Sequence, residues 1–145
     1  MKEITKALKK IISEVEVSKN EFDIFTWKNF EIDFSENFEN KKLISEKLKT
    51  ELDNNSGFYA IYDNKKCLYI GIGRPIRKRI NLHYFASQGK DKAEKWVKFF
   101  EENKKTLRVY WIEFSCSEKN KIDDKARQFI ESILTEKYKP KFEEK

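Results

Sequence analysis

The sequence predicts an α+β fold: a small three-stranded antiparallel sheet flanked by helices, preceded by an extension that mixes helix and strand. Three observations carry that expectation. Two β-rich runs, 57–62 and 67–72, are separated by Asp63-Asn64-Lys65-Lys66, a hairpin signal. A third run, TLRVYWIEF at 106–114, alternates and is dense in strand formers. The last stretch repeats Ile122, Ala126, Phe129, Ile130, Ile133 and Leu134 at helical spacing and stops near Pro140.

The elements follow in order. Ile4, Leu8, Ile11, Ile12 and Val15 share one face of an expected helix over 2–15. Within 22–34, Phe30, Ile32 and Phe34 alternate with Glu31 and Asp33, the pattern of a short half-buried strand. Leu43, Ile44, Leu48 and Leu52 mark a second helix, closed by the DNNSG turn at 53–57. So short a piece buries little core alone, so residues 1–56 read as an extension packed on a domain formed by 57–145. After the hairpin, Pro75 can open a helix bearing Arg77, Lys78, Arg79 and His83. Residues 91–102 form another around Ala93, Trp96, Val97 and Phe100. From Gly57 onward the order is β-β-α-α-β-α.

Composition narrows the class of function. With 145 residues, 39% hydrophobic and 14% aromatic, the chain can bury a core and is too apolar to be disordered. No run approaches the length of a membrane span, and MKEITKALKK lacks a signal-peptide core, so no membrane partner is expected. Cys67 and Cys116 are too few for a disulfide framework or a zinc site and read as free thiols in a reducing cytoplasm. The net charge of +6 is uneven: residues 1–56 carry 10 basic and 12 acidic side chains, residues 57–145 carry 21 and 13. Lys65, Lys66, Arg74, Arg77, Lys78 and Arg79 fall between positions 65 and 79 with no acid among them. A one-sided basic field attracts polyanions, nucleic acid above all, although a solvated lysine-rich face has the same composition.

The hairpin register decides what its tyrosines do. An odd-numbered loop sets Tyr59 opposite Tyr69 on one face, with Leu68, Ile70 and Ile72 together on the other. A two-residue loop at Asn64-Lys65 would pair Tyr59 with Ile70 and separate the phenols. The odd loop is expected here. Two strand tyrosines with no other context would be a cross-strand packing pair.

The context is supplied by four short stretches. Gly57-Phe58-Tyr59, Tyr69-Ile70-Gly71, RPIRKRINLHY and ARQFIESILTEKYKPKF occur in this order. Together they resemble the GIY-YIG nuclease superfamily from residue 57 to about 143. The resemblance implies a metal-dependent DNA endonuclease, with RNA open as a substrate, and a candidate catalytic set of Tyr59, Tyr69, Arg79, His83 and Glu131. It implies that Tyr59 activates water, that Tyr69 orients water or phosphate, and that Glu131 is the metal ligand for Mg²⁺ or Mn²⁺. The residue chemistry agrees. A guanidinium suits phosphate oxygens, a carboxylate suits a hard cation, and His83 falls one turn after Arg79 on the same helical face. Lys65, Lys66, Arg74, Arg77 and Lys78 are the expected nucleic-acid contacts. Phe58 stands where the family carries Ile or Val, and Glu143 where it often carries Asn. That second departure keeps a non-catalytic nucleic-acid-binding or adaptor module as the alternative reading. The tract GIG-R-P lacks the third glycine and the parallel βαβ setting of a dinucleotide site. The extension, mildly acidic and rich in Phe, offers a surface for a protein partner or a homodimer.

Overall fold

The computed structural model describes residues 23–35, 41–87, 94–114 and 121–142. The helix expected over 2–15, the first residues of that expected over 91–102, and Glu143 lie outside the described residues.

A 3-10 turn, Ile24–Thr26, begins where the Asp23 carboxylate accepts from the Phe25 N–H. It leads into strand β1 (Lys28–Asp33), whose Phe30 and Ile32 are buried between exposed neighbours, the alternation of a strand with one covered face. Helix α1 (Lys41–Leu52) buries Ile44, Leu48 and Leu52, which recur every four residues along one face. Strands β2 (Gly57–Asp63) and β3 (Lys66–Gly73) form the hairpin. Helix α2 (Ile76–Ala86) starts after Pro75, which has the extended backbone of an N-cap. Helix α3 (Glu94–Glu102), strand β4 (Thr106–Glu113) and helix α4 (Lys121–Tyr138) complete the order.

The sheet has four antiparallel strands in the order β1-β4-β2-β3, one more than expected. The additional strand is β1, in register with β4 from Lys28↔Trp111 to Asp33↔Thr106. It covers an edge of β4 that would otherwise present unpaired backbone groups. Past α4, the backbone N–H groups of Lys141 and Phe142 donate to the carbonyls of Cys67 and Leu68, at 3.1 and 2.8 Å. The chain end thereby closes part of the β3 edge.

Each sheet face has its own core. One face carries Tyr59, Ile61, Leu68 and Tyr69 against the apolar sides of α1, α2 and α3. The other carries Phe58, Ala60, Tyr62, Cys67 and Ile70 against Leu134, Ile130 and Tyr138 of α4 and the turn at Ile24.

The hairpin corrects the expected loop. Asp63 pairs with Lys66 and Tyr62 with Cys67, so the connection is the two-residue loop Asn64-Lys65. Asn64 adopts a positive φ of 52°, a conformation asparagine tolerates in such turns. The register then shifts between Ile61 and Tyr62, and Ile61 pairs with Tyr69. Leu68 is therefore the extra residue of a β-bulge, and it lies in the same core as Tyr69 instead of with Ile70. The bulge restores the parity that the even loop would have lost. Tyr59 and Tyr69 share a face as expected, but as diagonal neighbours, because the residue directly opposite Tyr59 is Gly71.

Candidate active site

The bulge brings two phenols side by side on the β2–β3 surface. Their ring centroids are 5.9 Å apart, and both residues are fully buried. Gly71 makes the arrangement possible. A Cβ there would stand 2.8 Å from Tyr69 Cε1 and 2.9 Å from Tyr59 Oη, closer than real contacts allow. Gly73 has a different reason: a Cβ would meet Ile76 Cα at 2.3 Å, where α2 begins its first turn against the strand end.

Helix α2 crosses this face with Arg79 and His83 one turn apart. His83 lies 5.5 Å from the Tyr69 ring, edge to face, and is stacked on Trp96 at 3.8 Å with 18° between planes. Trp96 is 4.9 Å from Tyr69, so indole, imidazole and phenol form one packed group. Lys95 completes it, its Nζ 5.2 Å from the centroids of both Tyr69 and Trp96. Burial, then the charges of Arg79 and Lys95, push the His83 pKa down to about 3. The imidazole is thus neutral at pH 7, and its Nε2 is buried with no hydrogen-bond partner among the described residues.

Glu131 comes from the other side of the sheet. It lies on α4, whose Ile130 and Leu134 pack on the opposite core. Because β3 is the edge strand, α2 and α4 approach each other around it. A cleft of about 590 Å³ there is lined by Ile72, Arg74, Lys78, Arg79, Asp124 and Arg127, among others. Arg127 Nη1 donates to Glu131 Oε2 at 3.1 Å, and its Nη2 lies 3.0 Å from Asp124 Oδ1. Glu131 therefore takes the i,i+4 arginine partner that a surface glutamate would also take. Unlike such a residue, it keeps Oε1 closed to solvent, as are the hydroxyl oxygens of Tyr59 and Tyr69.

The geometry thus places Tyr59, Tyr69 and His83 in one packed group, with Arg79 beside His83 and lining the cleft that Arg127 links to Glu131. The GIY-YIG catalytic domain matches residues 55–143. The chain belongs to the GIY-YIG family. No curated protein and no solved structure matches it. The match starts after β1 and α1, so the strand that completes this GIY-YIG sheet lies outside the matched residues.

The basic residues separate into two groups. Arg74 and Lys78 line the cleft, while Arg77 turns to the Asn54 side chain, donating at 2.9 Å. Lys65 and Lys66 sit at the hairpin tip, about 23 Å along β3 from Gly73 at ~3.3 Å per residue. There Lys66 joins Lys98 and Lys141 around Glu102.

GIY-YIG nucleases are generally dependent on a divalent metal. Among the described residues no group of three or more His, Cys, Asp or Glu has metal-binding placement. Asp124 lines the cleft, and Glu131 is joined to it through Arg127. That set fits Mg²⁺ or Mn²⁺, which take one or two carboxylates and fill the remaining positions with water and substrate phosphate. It does not fit zinc, which needs nitrogen or sulfur ligands in number. Asp124 and Lys95 were not among the expected site residues. Asp124 was detectable as the residue seven before Glu131, on the same helical face; Lys95 had no signal beyond adjacency to Trp96.

Proposed function

We propose that this GIY-YIG protein is a metal-dependent endonuclease that hydrolyses phosphodiester bonds in DNA. The observation that carries the reading is the junction at the β3 edge. The tyrosine–histidine group under α2 and the carboxylates of α4 reach the same basic cleft through Arg79 and Arg127. Phosphodiester hydrolysis needs an oriented water, positive charge beside the phosphorane and help for the departing oxygen. Arg79, with Arg74 and Lys78, receives the phosphate oxygens. Tyr59 orients the attacking water and relays its proton, and Tyr69 holds the phosphate side of that water. His83 remains neutral and fixes the Tyr69 ring by edge contact. Glu131 would hold Mg²⁺ or Mn²⁺, which would supply positive charge for the departing oxygen. Water adds to phosphorus, the P–O bond breaks, and the proton released by the water ends on the leaving alkoxide. Incubating supercoiled plasmid with Mg²⁺ or Mn²⁺ tests this, using wild type, Tyr59→Phe and Glu131→Ala. Nicking by wild type and its loss in both variants is expected; no cutting of any DNA form refutes it.

A second reading, a DNA-binding module without turnover, is favoured by the Glu131–Arg127 pairing and by the burial of both phenol oxygens. DNA binding that resists EDTA, with no cleavage, is its signature.

A further inference from the structure

Arg127 lines the cleft and contacts two carboxylates of α4, Asp124 in the cleft wall and Glu131 one turn further on, with 20% of its side chain exposed. Its Nε and Nη2 reach Asp124 at 3.1 and 3.0 Å, and its Nη1 reaches Glu131 at 3.1 Å. One planar fork therefore spans residues seven apart on α4, a two-sided grip that lysine cannot reproduce. The facing wall adds three more cations, Arg74, Lys78 and Arg79. A guanidinium on Glu131 and a divalent cation on the same carboxylate repel each other at close range, so both cannot be held there at full strength.

We infer that Arg127 is a second substrate-binding arginine of this site, stored on the metal-binding carboxylates until DNA arrives. The inference rests on the nuclease reading. Without DNA, Arg127 neutralises Asp124 and Glu131 and keeps divalent-ion affinity low. When a cation enters with a phosphodiester, Arg127 leaves Glu131 and turns to a non-bridging phosphate oxygen. The negative charge of the substrate replaces that of the carboxylate, so the guanidinium is never left without a counter-charge. Metal and DNA consequently bind with positive coupling.

The test uses the full chain and Mn²⁺ alone, with free Mn²⁺ followed by electron paramagnetic resonance. Arg127→Gln should bind Mn²⁺ about tenfold more tightly than wild type, the effect of losing one partly buried ion-pair competitor. Adding Glu131→Gln to it should erase that gain. Arg127→Lys, which keeps charge without the two-sided fork, should show a smaller gain and serves if the first variant folds poorly. On a short duplex in Ca²⁺, Arg127→Gln should lower the slope of log affinity against log salt by about one. Unchanged or weaker Mn²⁺ binding, or an unchanged salt slope, overturns the inference. A wild type that never cuts DNA, with both effects present, would sink the nuclease reading and leave the role of Arg127 standing.

Discussion

His83 makes acid stability a direct report on the packing of this site. It is the single histidine of the chain, so its titration can be followed without assignment. Burial on Trp96 and the flanking charges of Arg79 and Lys95 lower its pKa from 6.5 to about 3. Between these values the unfolded chain binds a proton that the folded chain refuses. Stability from His83 is therefore fully present above pH 6.5 and lost as the pH falls towards 3. Each pH unit across that window is worth about 1.36 kcal/mol, so wild type loses about 3 kcal/mol from this group alone between pH 7 and pH 4. His83→Asn cannot take up that proton. It should be less stable than wild type at pH 7, because it abandons the stack, and the gap should close by about 3 kcal/mol at pH 4. Urea unfolding of both proteins at the two pH values gives the difference, and carboxylate effects common to both cancel. NMR titration should show the His83 ring protons unchanged from pH 8 to 5. A gap that stays constant, or a midpoint near 6.5, refutes the reasoning.

Three further outcomes are expected. Gly71→Ala should destabilise the fold by about 1–3 kcal/mol, since its methyl overlaps both phenols, and should depress DNA cleavage further than stability alone requires; chemical denaturation beside a nicking assay separates the two effects. Cys67 is buried and its thiol is pushed up to about 11 by desolvation, so in a Cys116→Ser background it should resist iodoacetamide at pH 8 until urea unfolds the chain; mass spectrometry of the alkylated protein reads this. Alanine at Arg74 and Lys78 should weaken DNA binding and cleavage together, whereas alanine at Lys65 and Lys66 should weaken binding with less effect on turnover, because the hairpin tip is remote from the cleft.

The sequence made the strand order of the hairpin, the helices after it and the closing helix legible, because periodicity and turn residues are local signals. It did not make the bulge legible. Leu68 departs from alternation only because α1–α3 cover one face of β3 and α4 the other, and both sides are apolar. The even loop at Asn64-Lys65 carried no sign that parity would be recovered at Leu68. The shared face of Tyr59 and Tyr69 was therefore anticipated through a different register from the one observed. The pairing of β1 with β4 was equally hidden, since alternation at Phe30 and Ile32 marks a strand without naming its neighbour. For the site, the spacing of Arg79 and His83 foretold a common helical face. The approach of Glu131 around the β3 edge depends on that strand being outermost, a property of the sheet. The six basic residues between 65 and 79 look continuous in sequence, yet the extended β3 carries them to opposite ends.

The central claim is that groups from both sides of the sheet serve one metal-and-phosphate site at the β3 edge. Adding Mn²⁺ and a short DNA duplex to the protein and recording paramagnetic broadening tests it most directly. Signals from Tyr59, Tyr69, His83 and Glu131 should broaden together while those of Lys65 stay sharp, and Glu131→Gln should abolish the effect. Broadening confined to α4, with the tyrosine and histidine rings untouched, would contradict it.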